Sequence, residues 1–175
     1  MEKINLYRKY HKDPDKYPGE SYEQNHEHVL ELARDTGCKT FLDYGCGKGE
    51  QWNEERFVSD LGSRPHCYDP AVEKYSDLPD QKFDMVISTD VFEHIPESEI
   101  DDCLNWIYTH AEKSVYLGIC TKRAKARLPN GENAHCTVRP HDWWREKIMS
   151  HSKKTSVTTI LTTYPPHDHS RLERF

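Results

Sequence analysis

Apolar and polar positions along the chain alternate between two periods. Tyr22, His26, Val29, Leu30 and Ala33 recur every three or four residues, the spacing of a helix with one buried face. Ser21 and Gln24 have the spacing of a capping box at its start, and Gly37 supplies a left-handed stop. Residues 40–44 (TFLDY), 66–68 (HCY), 83–88 (FDMVIS), 114–120 (SVYLGIC) and 155–164 are short runs rich in β-branched or aromatic residues and predict strands. Residues 50–61, 97–110 and 142–150 predict helices; Ile100, Leu104 and Ile107 mark the buried face of the second. Strands alternating with helices imply a parallel sheet wrapped by helices. Residues 1–20 predict an arm, loop-like over 7–20 (YRKYHKDPDKYPGE), and Tyr10, His11 and Tyr17 suit it to act as a lid. Residues 121–140 predict a long loop with Pro129-Asn130-Gly131 as turn chemistry, and the tail after Pro165-Pro166 predicts little structure.

Composition narrows the class. The 175 residues suit one domain. Apolar content of 35% against 31% charged predicts a small core under a well-solvated surface. No apolar run approaches the roughly 20 residues that span a bilayer, and no charged-then-apolar leader opens the chain, so a cytoplasmic protein without membrane contact is expected. The six cysteines form no C-x-x-C pair, which disfavours a disulfide scaffold and a zinc site of familiar spacing; reduced thiols and no metal are expected. Charge is polarised, −13 up to Glu112 and +7 from Lys113 onward, with Lys122, Arg123, Lys125 and Arg127 the densest basic stretch. That asymmetry suits an anionic partner at the C-terminal part, or two solvated faces and nothing more.

In parallel sheets, ligands bind beyond the carboxyl ends of the strands. Three such ends carry chemistry. After the first strand stands Asp43-Tyr44-Gly45-Cys46-Gly47-Lys48-Gly49, where glycines permit a sharp turn and close approach of a ligand to backbone amides. Glu50 stands where the dinucleotide fingerprint needs its third glycine, which weakens a nicotinamide or flavin reading. After the second strand, Asp69 before Pro70 suits ribose hydroxyls, or equally an Asp-Pro turn. After the third, Thr89, Asp90, Val91, Glu93 and His94 crowd two carboxyls and an imidazole together; helix capping with a surface histidine is the alternative.

Taken in order, these three segments resemble the class I S-adenosylmethionine-dependent methyltransferases. LDYGCGKG is similar to their glycine-rich motif, YDP to their ribose-binding acidic motif, and FDMVISTDVFEHIP to the segment after their fourth strand. The resemblance covers roughly residues 20–120. LPNGENAHCTVRPHDWW is in turn similar to a segment of uncharacterised methyltransferase-like proteins of phages and bacteria. The resemblance implies an α/β fold with a Rossmann-like, doubly wound, mostly parallel sheet and helices on both faces. It implies Asp43, Gly45, Cys46 and Gly47 around the methionine part of the cofactor, with Asp69 on the ribose and Pro70 near the adenine. It places Thr89, Asp90 and Val91 beside the sulfonium and adenosyl group, with Asp77 or Leu78 near the adenine. The short span between Asp69 and Phe83 leaves no room for a helix and a further strand, so the sheet is expected to be trimmed, its third strand missing. Only one strand is expected after the last helix, where the family has a hairpin.

For the acceptor, His135, His94 and Glu93 are the candidate acid–base groups, and Lys122, Arg123, Trp143 and Trp144 the candidate substrate contacts. Core anchoring is the competing role for the tryptophans. Neither N-P-P-Y nor D-P-P-Y follows FDMVIS, no Pro-Cys nucleophile is present, and the isoelectric point near 6.0 lacks a polyanion footprint. A small, anionic acceptor is therefore expected, with nucleotide or nucleic-acid modification and a catalytically idle cofactor binder as alternatives. The sequence does not indicate an oligomeric state.

Overall fold

The structure is a computed structural model that describes residues 2–13, 21–164 and 171–175. Six strands form one sheet in the order β2-β1-β3-β4-β5-β6. They are β1 (Phe41–Tyr44), β2 (His66–Tyr68), β3 (Phe83–Thr89), β4 (Ala111–Cys120), β5 (Thr158–Tyr164) and β6 (Arg171–Arg174). The first five run parallel, and β6 pairs antiparallel with β5. Five described α-helices accompany them: α1 (Glu2–His11), α2 (His26–Thr36), α3 (Glu55–Leu61), α4 (Ile100–His110) and α5 (His141–Ser152).

The side-chain alternation of the strands divides the core between two faces. Phe41, Met85, Ile87, Tyr116 and Ile160 pack under α2 and α3, together with Val29, Leu32, Trp52 and Phe57. Leu42, Val86, Val115, Leu117 and Leu161 pack on the other face with Leu104, Ile107, Trp144 and Ile148 of α4 and α5. Burial on both faces explains why the middle of β3, Met85-Val86-Ile87, is apolar without alternation. The doubly wound, mostly parallel α/β sheet expected from the motifs is the fold. It is trimmed as expected: between β2 and β3 lies only a single 3₁₀ turn, Glu73–Tyr75.

Four expectations need correction. The arm is not loop-like over residues 7–11, because residues 2–11 form α1; only Lys12 and Asp13 beyond it are turn and bend among the described residues of the arm. Arg8, Lys9 and His11 in its last turn complement the helix dipole, and the helix gives way ahead of Pro14. Tyr17 and the rest of residues 14–20 lie outside the described residues. Ser21 and Gln24 form no capping box: a 3₁₀ turn (Glu23–Asn25) precedes α2, and both side chains bond elsewhere. Gly37 does end α2 in the left-handed conformation, φ 62°. Finally, the tail carries β6, so two strands follow the last helix. Its alternation of Arg171, Leu172, Glu173 and Arg174 carries no buried face to betray it; pairing with β5 and bonds from Arg145 (2.6 Å) and His141 (3.3 Å) to Glu173 hold it.

At the end of the sheet away from the strand tips, Asp84 ties three segments together. Its carboxylate accepts from the amides of Lys39 (2.7 Å) and Thr40 (3.2 Å) and pairs with Lys113 (2.9 Å). These donors hold its carboxyl below the ordinary range although burial acts against them. Asp84→Ala leaves the amides without an acceptor and should lower the unfolding free energy by about 1–3 kcal/mol. Urea denaturation measures this; an unchanged midpoint would show that the clamp contributes nothing.

Candidate functional site

The carboxyl ends of β1 to β5 open onto one cavity of about 810 Å³. Three of these tips are keyed to one another. Gly45 (φ 87°) is forced by proximity: a Cβ there would lie 2.3 Å from Cγ2 of Val91, just past β3. The amides of Gly45 and Cys46 both donate to the Tyr68 carbonyl at the end of β2 (2.7 and 3.0 Å). The Gly47 amide donates to Oδ2 of Asp69 (2.9 Å), whose Oδ1 accepts from the Ala71 amide (2.8 Å). Asp90 is the only described non-glycine residue with positive φ, 55°, a conformation that costs roughly 1–2 kcal/mol. Its amide donates to the Gly118 carbonyl of β4 (2.8 Å), and its Oδ2 accepts from Gln24 (3.2 Å).

Among the residues singled out in the sequence, Gly45, Gly47, Asp69, Pro70, Thr89, Asp90, Val91, His94, Lys122 and His135 line this cavity. Others do not. Asp43 is fully buried behind the glycine loop, where Oδ2 accepts from Gln51 (2.8 Å) and Trp52 (2.7 Å). Cys46 is likewise buried, beside Cys67 of β2. Glu93 is 0% exposed and stands behind the wall. Arg123 is exposed outside the cavity. Trp143 and Trp144 wall no acceptor pocket: Trp144 is 0% exposed against Phe92, and Trp143 lies beside it beneath Arg139 and Lys147. The tryptophans anchor α5. Asp77 lines a separate cavity with Arg64 and Lys74, and Leu78 is exposed.

Several lining residues escaped the sequence reading. Ser21 Oγ bonds to Thr89 (2.8 Å to its hydroxyl), and with Gln24 it faces the strand tips instead of capping α2. Tyr164, at the end of β5, bonds to Asn25, whose carbonyl also receives the Tyr116 hydroxyl (2.8 Å). Cys120 closes the β4 side. Above all these, α1 contributes Lys3, Ile4 and Tyr7 to the lining, beside His11, which the sequence had already marked as a lid residue. It is fastened at both rims: Arg8 donates to the Pro70 carbonyl (3.1 Å), Tyr7 to the Ala134 carbonyl (2.6 Å), and Lys3 pairs with Glu132 (3.1 Å). The amphipathic character of so short a helix, followed by Pro and Gly residues, gave too weak a signal to find.

Burial dominates the electrostatics. It raises Asp43 to about 7 against the bonds from Trp52 and Gln51, and it raises Asp69 against its amide donors. Asp90 is pushed up to about 6 by burial, with Glu93 and Lys122 pulling the other way. Glu93 is held well above the carboxylate range by burial and then by the Asp90 charge. His94 is pushed down to about 3 by burial and by His135, so it is neutral. His135 is lowered by burial too; its Nδ1 donates to the Lys122 carbonyl (2.6 Å), which leaves the Nε2 lone pair free to accept.

Asp43 offers a clean test of this picture. A carboxyl that titrates near 4 unfolded and about 7 folded keeps its proton only in the folded state across that interval. Stability from this group is thus present below pH 4 and is lost as pH rises toward 7. Asp43→Asn keeps a carbonyl for Trp52 and Gln51 but does not titrate. Its melting temperature relative to wild type should therefore climb between pH 5 and pH 8; a flat difference would contradict the burial argument.

A family model described as a methyltransferase domain matches residues 17–161, which takes in every strand from β1 to β4 and just over half of β5. A search of curated proteins finds no match. With the strand tips, glycine turn and acidic residue arranged as above, the match over most of the chain is decisive: the chain belongs to the methyltransferase-domain family, built on the class I, Rossmann-like sheet.

Proposed function

We propose that this methyltransferase uses S-adenosylmethionine and methylates a small, anionic molecule. The observation that carries the reading is the convergence of Gly45, Gly47, Asp69, Asp90 and Val91 on one cavity of about 810 Å³, within the ordinary range for ligand sites of roughly 300–1,000 Å³. The residues suit the cofactor. Each Asp69 oxygen accepts only one bond among the described residues, so lone pairs remain for ribose hydroxyls. The glycine turn brings bare backbone to the cavity, where a carboxylate can approach. When bound, the cofactor supplies a sulfonium methyl group for in-line attack by a nucleophile.

The protein's part is alignment and exclusion of water, and alignment alone can supply roughly 7–11 kcal/mol. Helix α1 roofs the cavity and fastens to both rims, so it shields the reacting atoms. The acceptor side is bounded by His94, Cys120, Lys122, His135 and Tyr164. His135 Nε2 presents a lone pair there, to take a proton from the nucleophile or hold its attacking atom. Asp69, Asp90 and Glu99 balance Lys3 and Lys122 in the lining, so the case for an anionic acceptor rests on Lys122, the first residue of the basic stretch, at the acceptor side. The roof of α1 disfavours a nucleic-acid duplex. A catalytically idle cofactor binder would share the cofactor half of this geometry, and a labelled-methyl assay across small-molecule pools separates the two.

Calorimetry with the demethylated product, S-adenosylhomocysteine, tests the cofactor directly. We expect saturable binding below millimolar concentration, at least tenfold weaker in Asp69→Ala and less impaired in Asp69→Asn. Absence of binding at millimolar concentration to a folded wild-type protein would overturn the proposal.

A further inference from the structure

We propose that Glu93, Cys120 and His135 form a binding site for a zinc-like divalent cation at the wall of the acceptor side. One ligand atom from each residue lies within 4.8 Å of the other two. They come from three segments, the turn after β3, the tip of β4 and the long loop that follows it. No spacing in the sequence joins them, so the cysteine pattern read along the chain could not reveal the set.

Two features show a set built for an ion. Glu93 is 0% exposed; Oε1 accepts the Cys120 amide (3.0 Å), and Oε2 has no partner in good hydrogen-bond geometry among the described residues, although the Asp90 carboxyl lies beside Glu93 and interacts with it. A buried carboxyl oxygen without a partner costs folding free energy, and a cation beside it removes that cost. His135 is oriented as metal-binding histidines are: Nδ1 donates to a backbone carbonyl, here Lys122 (2.6 Å), and the Nε2 lone pair is free to coordinate. The Cys120 sulfur makes only a loose 3.9 Å contact to the Lys122 carbonyl and can turn toward the other two.

Donor chemistry selects the ion. One sulfur, one imidazole nitrogen and one carboxylate oxygen suit zinc and not magnesium or calcium, which prefer all-oxygen shells. Thiolate and carboxylate together neutralise a dication. Bonds of about 2.0–2.3 Å in tetrahedral arrangement put ligand atoms roughly 3.3–3.6 Å apart, so binding draws these side chains together by about 1 Å. Lys122 opposes the ion with its charge, but its side chain is exposed and can swing toward solvent. Cys120 and His135 line the cavity, so the fourth position faces it. With the ion bound, the His135 Nε2 lone pair is taken up and the base role given to it above falls away; the open position then suits an acceptor whose nucleophile is a thiol or an acidic hydroxyl. This last assignment of acceptor class rests on the methyltransferase reading; the ion site does not.

The test uses the full chain without a histidine tag. Zinc affinity is measured by competition with a chromogenic chelator, stoichiometry by elemental analysis after dialysis, and ligand identity by the thiolate-to-metal absorption of the cobalt-loaded protein. We expect one tightly held equivalent, weakened at least tenfold in Cys120→Ser and in His135→Ala, and loss of the thiolate band in Cys120→Ser. Glu93→Gln is buried and can fail to fold; the two cavity-facing variants keep the test decisive. No stoichiometric zinc, or zinc held equally well by both variants, overturns the site. Calorimetry with S-adenosylhomocysteine on the zinc-free protein keeps the readings apart: binding there without any zinc site removes the ion alone, and zinc without cofactor binding removes the acceptor assignment alone.

Discussion

The close approach of the first three strand tips is the constraint on which the site depends. Gly45 lies so near Val91 that no side chain fits, and the Gly47 amide is held by Asp69. The parallel register of β2, β1 and β3 sets these positions, since Asp43 stands opposite Cys67 on one side and Ile87 on the other. Shift any one strand and the glycine turn, the acidic residue and the β3 tip no longer face one cavity. Two fully buried layers, one under α2 and α3 and the other under α4 and α5, hold that register.

Against this rigid frame the cavity concentrates costs. Asp69 and Asp90 in its lining, and Asp43 and Glu93 just behind it, all have carboxyls raised by burial, and Asp90 is held in a left-handed conformation. Strain and buried charge at strand tips are what a ligand site requires and what a core would avoid. The compensation lies elsewhere, in the apolar faces of the sheet and in clamps such as Asp84 at its far end.

The sheet was legible because its strands are short apolar runs between turns, and the glycine turn, Asp69 and Thr89–Val91 were legible because each directly follows such a run. The remainder was hidden for physical reasons. Ser21 and Gln24 have the types and spacing of a cap, yet the same side chains serve equally well to reach Thr89 and Asp90. Helix α1 draws stability from the rims it touches more than from its own pattern. Strand β6 is an edge strand with no buried face. The sequence left Trp144 open between pocket wall and core; only packing against Phe92 decides for the core. Glu93, Cys120 and His135 meet only once β3 and β4 are paired and the loop between β4 and α5 has folded back.

Amide hydrogen exchange with and without S-adenosylhomocysteine addresses the convergence of the strand tips most directly. The account requires that residues 45–48, 69–72 and 89–94 slow together, over one concentration range, because all three border one cavity. Protection confined to one of these segments, or appearing only at distant positions, would contradict it.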